Sequence, residues 1–173
     1  MKHSFFEKHL QQSFDLEVAF RRSCEHSWFP LVTINELVVQ IGHVYSIFNK
    51  DLIESGRKLD NLGDEISDVI LQLIILGRQL DFDFENYEYT NFDCSINDLN
   101  IILGQLTESV MECNGYRFNK PRVGFDTPQE FQHYKLTQLF NIIFSYCESI
   151  DIDIDKEYAT MLDTANKWLN KNY

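Results

Sequence analysis

Basic residues are scarce in this sequence, and their scarcity excludes one class of partner. Among 173 residues there are 15 Lys and Arg against 27 Asp and Glu, which gives a formal net charge of −12. A protein that follows a nucleic-acid backbone presents a basic surface. We therefore expect no nucleic-acid duplex as partner, whereas a small phosphorylated ligand held through a metal ion remains compatible with the charge.

Paired cysteines, helix-breaking residues and long apolar runs are also lacking. The sequence has only 7 Gly and 3 Pro and is 44% apolar, which is typical of a globular chain. No window approaches the roughly 18 uncharged apolar residues of a membrane span, and the N-terminal stretch carries charges. We expect a soluble, cytoplasmic protein without a membrane partner. The four cysteines are widely separated and predict neither a zinc site nor a disulfide framework: Cys24, Cys94, Cys113 and Cys147.

Apolar spacing predicts helix almost throughout the chain. Residues 4–25 form a first helix, and a second begins at "TINEL", where Thr33 and Glu36 have capping-box spacing. A third spans about 62–80 and is apolar on nearly every side, which predicts a place in the middle of a bundle. The second helix has one apolar face with steps of three and four: Leu37, Ile41, Val44 and Phe48.

The helical pattern then repeats. "SINDL" at 95–99 copies "TINEL" at 33–37, including the capping spacing of Ser95 and Asp98. The later helix "FQHYKLTQLFNIIFSYCESIDIDID" echoes "LGDEISDVILQLIILGRQLDFDFE", and the endings "LDFDFE" and "IDIDID" align position for position. The sequence therefore predicts two tandem helix pairs, at about 33–84 and 95–154.

Two such pairs predict one all-α domain over residues 1–173. A single helix pair cannot bury its own apolar face, but two fused copies pack as a four-helix bundle core. The N-terminal helix and a closing helix at about 155–170 complete the domain. The alternating Asp and apolar residues after each pair are also compatible with short strands, which would leave the overall class unchanged.

Polar side chains form two stripes on neighbouring helices. Glu36, Gln40 and His43 fall at i, i+4 and i+7 of the second helix, and Glu65 and Asp68 at i and i+3 of the third. Antiparallel helices bring such stripes face to face. Carboxylates so placed hold hard cations such as Mg²⁺, which bridge phosphate oxygens and help to activate water.

These motifs resemble the MazG-like, all-α nucleoside triphosphate pyrophosphohydrolases, a group that includes the dCTP pyrophosphatases and the dimeric dUTPases. "SWFPLVTINELVVQIGHVYSIFNK" is similar to the family's first helix, and "DEISDVILQLIILGRQLDFDF" to its second, with an ExxD pair. The resemblance implies Mg²⁺-dependent hydrolysis of a nucleotide to the monophosphate and pyrophosphate. It also allows a homodimer.

The resemblance assigns roles to named residues. Glu65 and Asp68 would be catalytic and would hold the metal, helped by some of Glu36, Gln40 and His43. Mn²⁺ is an alternative to Mg²⁺, because Mn²⁺ accepts an imidazole ligand such as His43 more readily. Two further residues would contact the substrate: Lys50 near the phosphates and Trp28 stacked on the base.

The sequence departs from the family at half of the metal site. The ExxE pair of the family falls on Gln40 and His43, so two carboxylates are missing. An alternative is therefore a degenerate relative that binds a nucleotide or a protein partner without hydrolysis. In the second unit the equivalent positions carry no carboxylate pair: Ile102, Gln105, Lys135 and Gln138.

Each candidate also has a structural explanation. Glu65 and Asp68 lie near a helix start, where the helix dipole favours carboxylates by about 0.3–1 kcal/mol each. Glu36 fits a capping box, His43 a partly buried histidine, and Trp28 the core. Glu108 is a distant candidate for a missing ligand. The basic group Lys50, Arg57 and Lys58 is compatible with a solvated helix end.

Overall fold

The computed structural model describes residues 3–23, 28–48, 62–90, 95–118 and 120–172. In these ranges the chain is helical and contains no strand, so the all-α prediction is confirmed and the short-strand alternative has no support there. The helices are α1 (His3–Ser23), α2 (Pro30–Phe48), α3 (Leu62–Gln79), α4 (Leu99–Cys113), α5 (Pro128–Ser149) and α6 (Ile154–Asn172). One 3₁₀ turn, Ile96–Asp98, leads into α4.

Helix α3 lies at the centre of the fold, as its apolar character predicts. It packs against α1, α2, α5 and α6. Thirteen of its 18 residues are buried, so only a narrow strip of α3 is left for solvent. Helices α2 and α4 also contact each other, α4 packs along α5, and α6 packs on both α3 and α1, so all six helices contribute to one apolar core.

Helices α3 and α5 end in the same way, although neither has glycine at its end. Asp81 and Asp151 each have a left-handed backbone, with φ of 55° and 57°. The next amide closes the same six-residue turn in both: Phe82 N donates to Gly77 O at 2.8 Å, and Ile152 N to Cys147 O at 2.9 Å. This is the Schellman pattern. The aligned endings "LDFDFE" and "IDIDID" therefore correspond to one backbone geometry.

The two predicted capping boxes have different outcomes. Ser95 and Asp98 form theirs, with both reciprocal hydrogen bonds in place. The prediction for Thr33 and Glu36 is wrong, because α2 already begins at Pro30, whose fixed φ suits the first turn of a helix. Thr33 therefore lies inside the helix, and its hydroxyl donates to Gln79 Oε1 of α3 at 2.9 Å.

The segment after α3 is held against α5 by a buried polar contact. The Tyr87 hydroxyl donates to Asn141 Oδ1 at 2.6 Å, and Asn141 Nδ2 donates to the Thr90 hydroxyl at 3.0 Å. Asn141 is 1% exposed, so this contact lies within the core. Aromatic rings from α1, the segment and α5 surround it: Phe6, Phe84, Phe140 and Phe144.

Candidate functional site

Three of the residues predicted for the site come together between α2 and α3. His43 Nδ1 lies 3.1 Å from Gln40 Oε1 on its own helix and 3.3 Å from Glu65 Oε2 on α3. The spacing of three residues places Gln40 and His43 on one face of α2, and the packing of α2 on α3 brings that face to Glu65. The histidine thus connects the two polar stripes.

The geometry assigns the imidazole proton to Nδ1. Both neighbouring atoms, Gln40 Oε1 and Glu65 Oε2, are acceptors, so an Nδ1–H group donates to Gln40 Oε1, lies within ion-pair distance of Glu65 Oε2 and leaves Nε2 for another partner. Glu65 is 6% exposed, whereas the His43 side chain is 25% exposed. The buried carboxylate therefore orients the ring, and the ring presents its outer edge towards the surface.

Asp68, one turn further along α3, lies close to α6. It is partly buried. Burial raises the pKa of the Tyr158 hydroxyl on α6, and the negative charge of Asp68 raises that pKa further, whereas a hydrogen bond with Ser13 opposes the shift. The charge of Asp68 thus reaches the Tyr158 hydroxyl on α6.

The described residues do not assemble the donor set that Mg²⁺ takes. Within the described ranges, no group of three or more His, Cys, Asp or Glu lies close enough together to hold a metal ion. The contacts that join Gln40, His43 and Glu65 supply one carboxylate, one amide oxygen and one imidazole, whereas Mg²⁺ prefers an oxygen shell. The Mg²⁺ and Mn²⁺ assignments consequently stay predictions.

The other predicted residues lie apart from this contact or outside the described ranges. Glu36 is partly buried one turn before Gln40, and Trp28 is partly buried just before α2. Glu108 pairs instead with Arg117 and Lys120 on the surface of α4, at 3.0 and 3.4 Å. Three basic residues fall outside the described residues, so their predicted place near phosphates stays a prediction: Lys50, Arg57 and Lys58.

In the second helix pair, one of the two aligned positions carries a positive charge and the other is neutral. Lys135 and Gln138 of α5 replace Glu65 and Asp68, and Lys135 Nζ donates to Gln138 Oε1 at 2.8 Å. Ile102 is buried and Gln105 is exposed on α4. This unit is therefore not an acidic site, in agreement with its sequence.

A second buried polar cluster, between α1 and α6, was not predicted. His9 Nε2 lies 3.2 Å from Asp155 Oδ1, and the Ser13 hydroxyl lies 2.8 Å from the Tyr158 hydroxyl. Burial lowers the pKa of His9, and Asp155 partly opposes that effect. A signal was present in the sequence, since Phe5, His9 and Ser13 recur every four residues and share the buried face of α1.

Comparisons with family models, with curated proteins and with solved structures find no match for this chain. The family assignment thus depends on the motifs described above. The described part of the chain contains no helix with the length and apolar character needed to cross a membrane.

Proposed function

We propose that this protein is a MazG-like helical protein that binds a nucleotide without hydrolysing it. The observation that carries the proposal is the contact of His43 with Glu65 at 3.3 Å, with Gln40 completing the group. The carboxylate that a metal would need is buried and lies within ion-pair distance of a histidine of the neighbouring helix. The family resemblance implies hydrolysis to the monophosphate and pyrophosphate at the same site. That activity stays a prediction.

The charge of the site favours a phosphorylated ligand without a metal. The family pattern places four carboxylates here, and this chain retains two of them, Glu65 and Asp68. Since repulsion between anions scales with the product of their charges, the loss of two carboxylates weakens the repulsion that a phosphate meets. The phosphate therefore has less need of a bridging cation than in a four-carboxylate site.

The exposed edge of His43 supplies the polar contact for such a ligand. With Nδ1–H donated to Gln40, Nε2 accepts a hydrogen bond from a base or, when protonated, donates to a phosphate. Trp28, just before α2, is the aromatic residue that the resemblance assigns to stacking on the base.

The proposal is tested by calorimetric titration of the native protein with each common ribo- and deoxyribonucleoside triphosphate, in MgCl₂ and in EDTA. We expect binding of at least one nucleotide in both buffers. His43→Ala is expected to weaken that binding by about tenfold, the value of one charge-assisted hydrogen bond. Gln105→Ala, at the equivalent exposed position of α4, is the matched control and is expected to leave binding unchanged.

Two results would contradict the proposal. If no nucleotide binds in either buffer, the site is not a nucleotide site, and the protein-partner alternative is left. If binding is abolished by EDTA and restored by Mg²⁺, the ligand is held through a metal, and the site has kept the mode of binding of the hydrolases.

A further inference from the structure

Helix α5 carries a buried lysine, Lys135, whose side-chain contacts with other described residues are all with neutral groups. Lys135 is 9% exposed. Its ammonium donates to Gln138 Oε1 at 2.8 Å and lies 5.2 Å from the ring centroids of both Phe131 and Tyr134. Within the described part of the chain, these contacts satisfy one of its three N–H donors with an amide oxygen and supply no negative charge.

A buried charge is costly unless a counter-charge compensates it. Burial lowers the pKa of Lys135, which shows that the protein environment disfavours its charged form. The two rings offset a part of that cost, because each presents a negative face to the cation. A bound anion would offset the remaining cost of burying the lysine charge.

A second cation lies on the same aromatic ring. The Arg122 guanidinium is 4.4 Å from the centroid of Phe131 and forms a 2.6 Å ion pair with Glu112, whose side chain is fully buried. Arg122 is thus matched by Glu112, and Lys135 is not. Among the described residues, the contacts of Lys135, Arg122 and Glu112 include two cations and one carboxylate, so they leave one positive charge without a carboxylate partner.

A hydroxyl donor stands beside the unmatched charge. Gln138 Nε2 donates to the Tyr134 hydroxyl oxygen at 3.3 Å, which leaves the proton of that hydroxyl available to a ligand. Tyr134 is 43% exposed, so the aromatic ring that lies 5.2 Å from the lysine ammonium also reaches the surface. Phe125 packs against both Phe131 and Tyr134 and closes the other side of the cluster.

We propose that Lys135 and the Tyr134 hydroxyl bind a phosphate-type oxyanion at this place in the second helix pair, with Arg122 as the neighbouring cation. The ammonium supplies its two remaining N–H donors and the phenol a third, which suits the several acceptor oxygens of a phosphate group. The site is separate from the α2–α3 contact and does not depend on nucleotide binding there.

The test is thermal unfolding of the native protein, Lys135→Met and Lys156→Met, each in inorganic phosphate, in pyrophosphate and in NaCl of matched ionic strength. At about 100 times the dissociation constant, a bound anion raises the Tm of a domain of this size by roughly 5–10 °C. We expect this rise for the native protein and for Lys156→Met, an exposed lysine on α6. Lys135→Met is expected to lose it.

Lys135→Arg separates charge from packing. Because it retains a cation at the same position, it is expected to keep a Tm response to pyrophosphate, although a weaker one. The proposal is overturned if the native protein responds no more to phosphate and pyrophosphate than to NaCl, or if Lys135→Met responds as the native protein does. A chemical-shift change at Tyr134 on addition of pyrophosphate, absent in Lys135→Met, would support the site independently of stability.

Discussion

The two helix pairs, α2–α3 and α4–α5, each consist of two packed helices, and they differ in polar chemistry. Where α3 presents Glu65 to His43, α5 presents Lys135 to Gln138. In the sequence alignment of the two units, an acidic position has become a basic one. The comparison teaches that a helix pair accepts either charge at this position when a polar side chain lies beside it.

The apolar cores of the two pairs differ as well. At aligned positions, α3 has Ile70 and Ile74 and α5 has Phe140 and Phe144, all four 0–1% exposed. The larger rings of α5 contact rings from α1 and from the segment after α3. The aromatic core of the second pair thus anchors α1 and the segment after α3, whereas α3 of the first pair packs against α6 and carries the candidate site.

The largest expected effect comes from truncating the anchoring core. Phe140→Ala is expected to lower the free energy of unfolding by about 3–5 kcal/mol, because a ring that meets at least four other rings is replaced by a cavity. Ile70→Ala, at the aligned position, is expected to cost about 2–4 kcal/mol. Urea unfolding of both variants measures the difference. A loss below about 1 kcal/mol for Phe140→Ala would show that α5 is not the anchor.

A smaller effect is expected where α5 is polar and α3 is apolar. Asn141 aligns with Leu71. Asn141→Leu makes the second pair resemble the first and leaves the buried Tyr87 hydroxyl without its acceptor, at a cost of about 1–3 kcal/mol.

The double variant Tyr87→Phe plus Asn141→Leu is the control for this prediction. It removes both polar partners, so it is expected to recover part of the lost stability. If the single and double variants unfold at the same urea concentration, the Tyr87–Asn141 hydrogen bond does not hold the segment on α5.

The smallest expected effect is a pH dependence of the free energy of unfolding. It comes from His9 on α1, outside both helix pairs. Burial lowers the pKa of His9 in the folded state below its ordinary value of 6.5. Below pH 6.5 the unfolded chain binds the proton more readily, so stability decreases as the pH falls from 6.5 towards the folded-state pKa. His9→Gln is expected to flatten this part of the urea-stability curve. An unchanged slope in His9→Gln would assign the pH dependence to one of the two pairs instead.

The sequence predicted the helices well, because their apolar spacing is strong and few residues interrupt it. The central place of α3 followed from its apolar surface, and the matching ends at Asp81 and Asp151 followed from the repeat. The start of α2 was predicted wrongly, because the capping spacing of Thr33 and Glu36 is only one signal for a helix start and Pro30 is another. The capping spacing predicted a helix start at Thr33, whereas Pro30 favoured an earlier start. In the structure α2 begins at Pro30, and the Thr33 hydroxyl donates to Gln79 of α3.

The sequence predicted which polar side chains share a helix face, but it did not predict all of their contacts in the candidate site. Helical spacing placed Gln40 and His43 on one face, and the antiparallel arrangement brought them to Glu65. The relation of Asp68 to Tyr158 was not predictable, because it depends on how α6 packs against α3 and the repeat contains no equivalent of α6. Burial of Lys135 was missed for a similar reason, since a lysine at a helix position is ordinarily solvated.

The most direct test of the central claim is a pyrophosphate-release assay over the common ribo- and deoxyribonucleoside triphosphates, with Mg²⁺ or Mn²⁺, on the native protein and on Gln40→Glu plus His43→Glu. Our account predicts no release by the native protein at any metal concentration, because the site retains only two of the four carboxylates of the family pattern and His43 lies 3.3 Å from one of them. It predicts stronger metal binding in the double variant, which restores the four-carboxylate pattern. Release by the native protein that is lost in Glu65→Ala plus Asp68→Ala would contradict the account and establish the hydrolase.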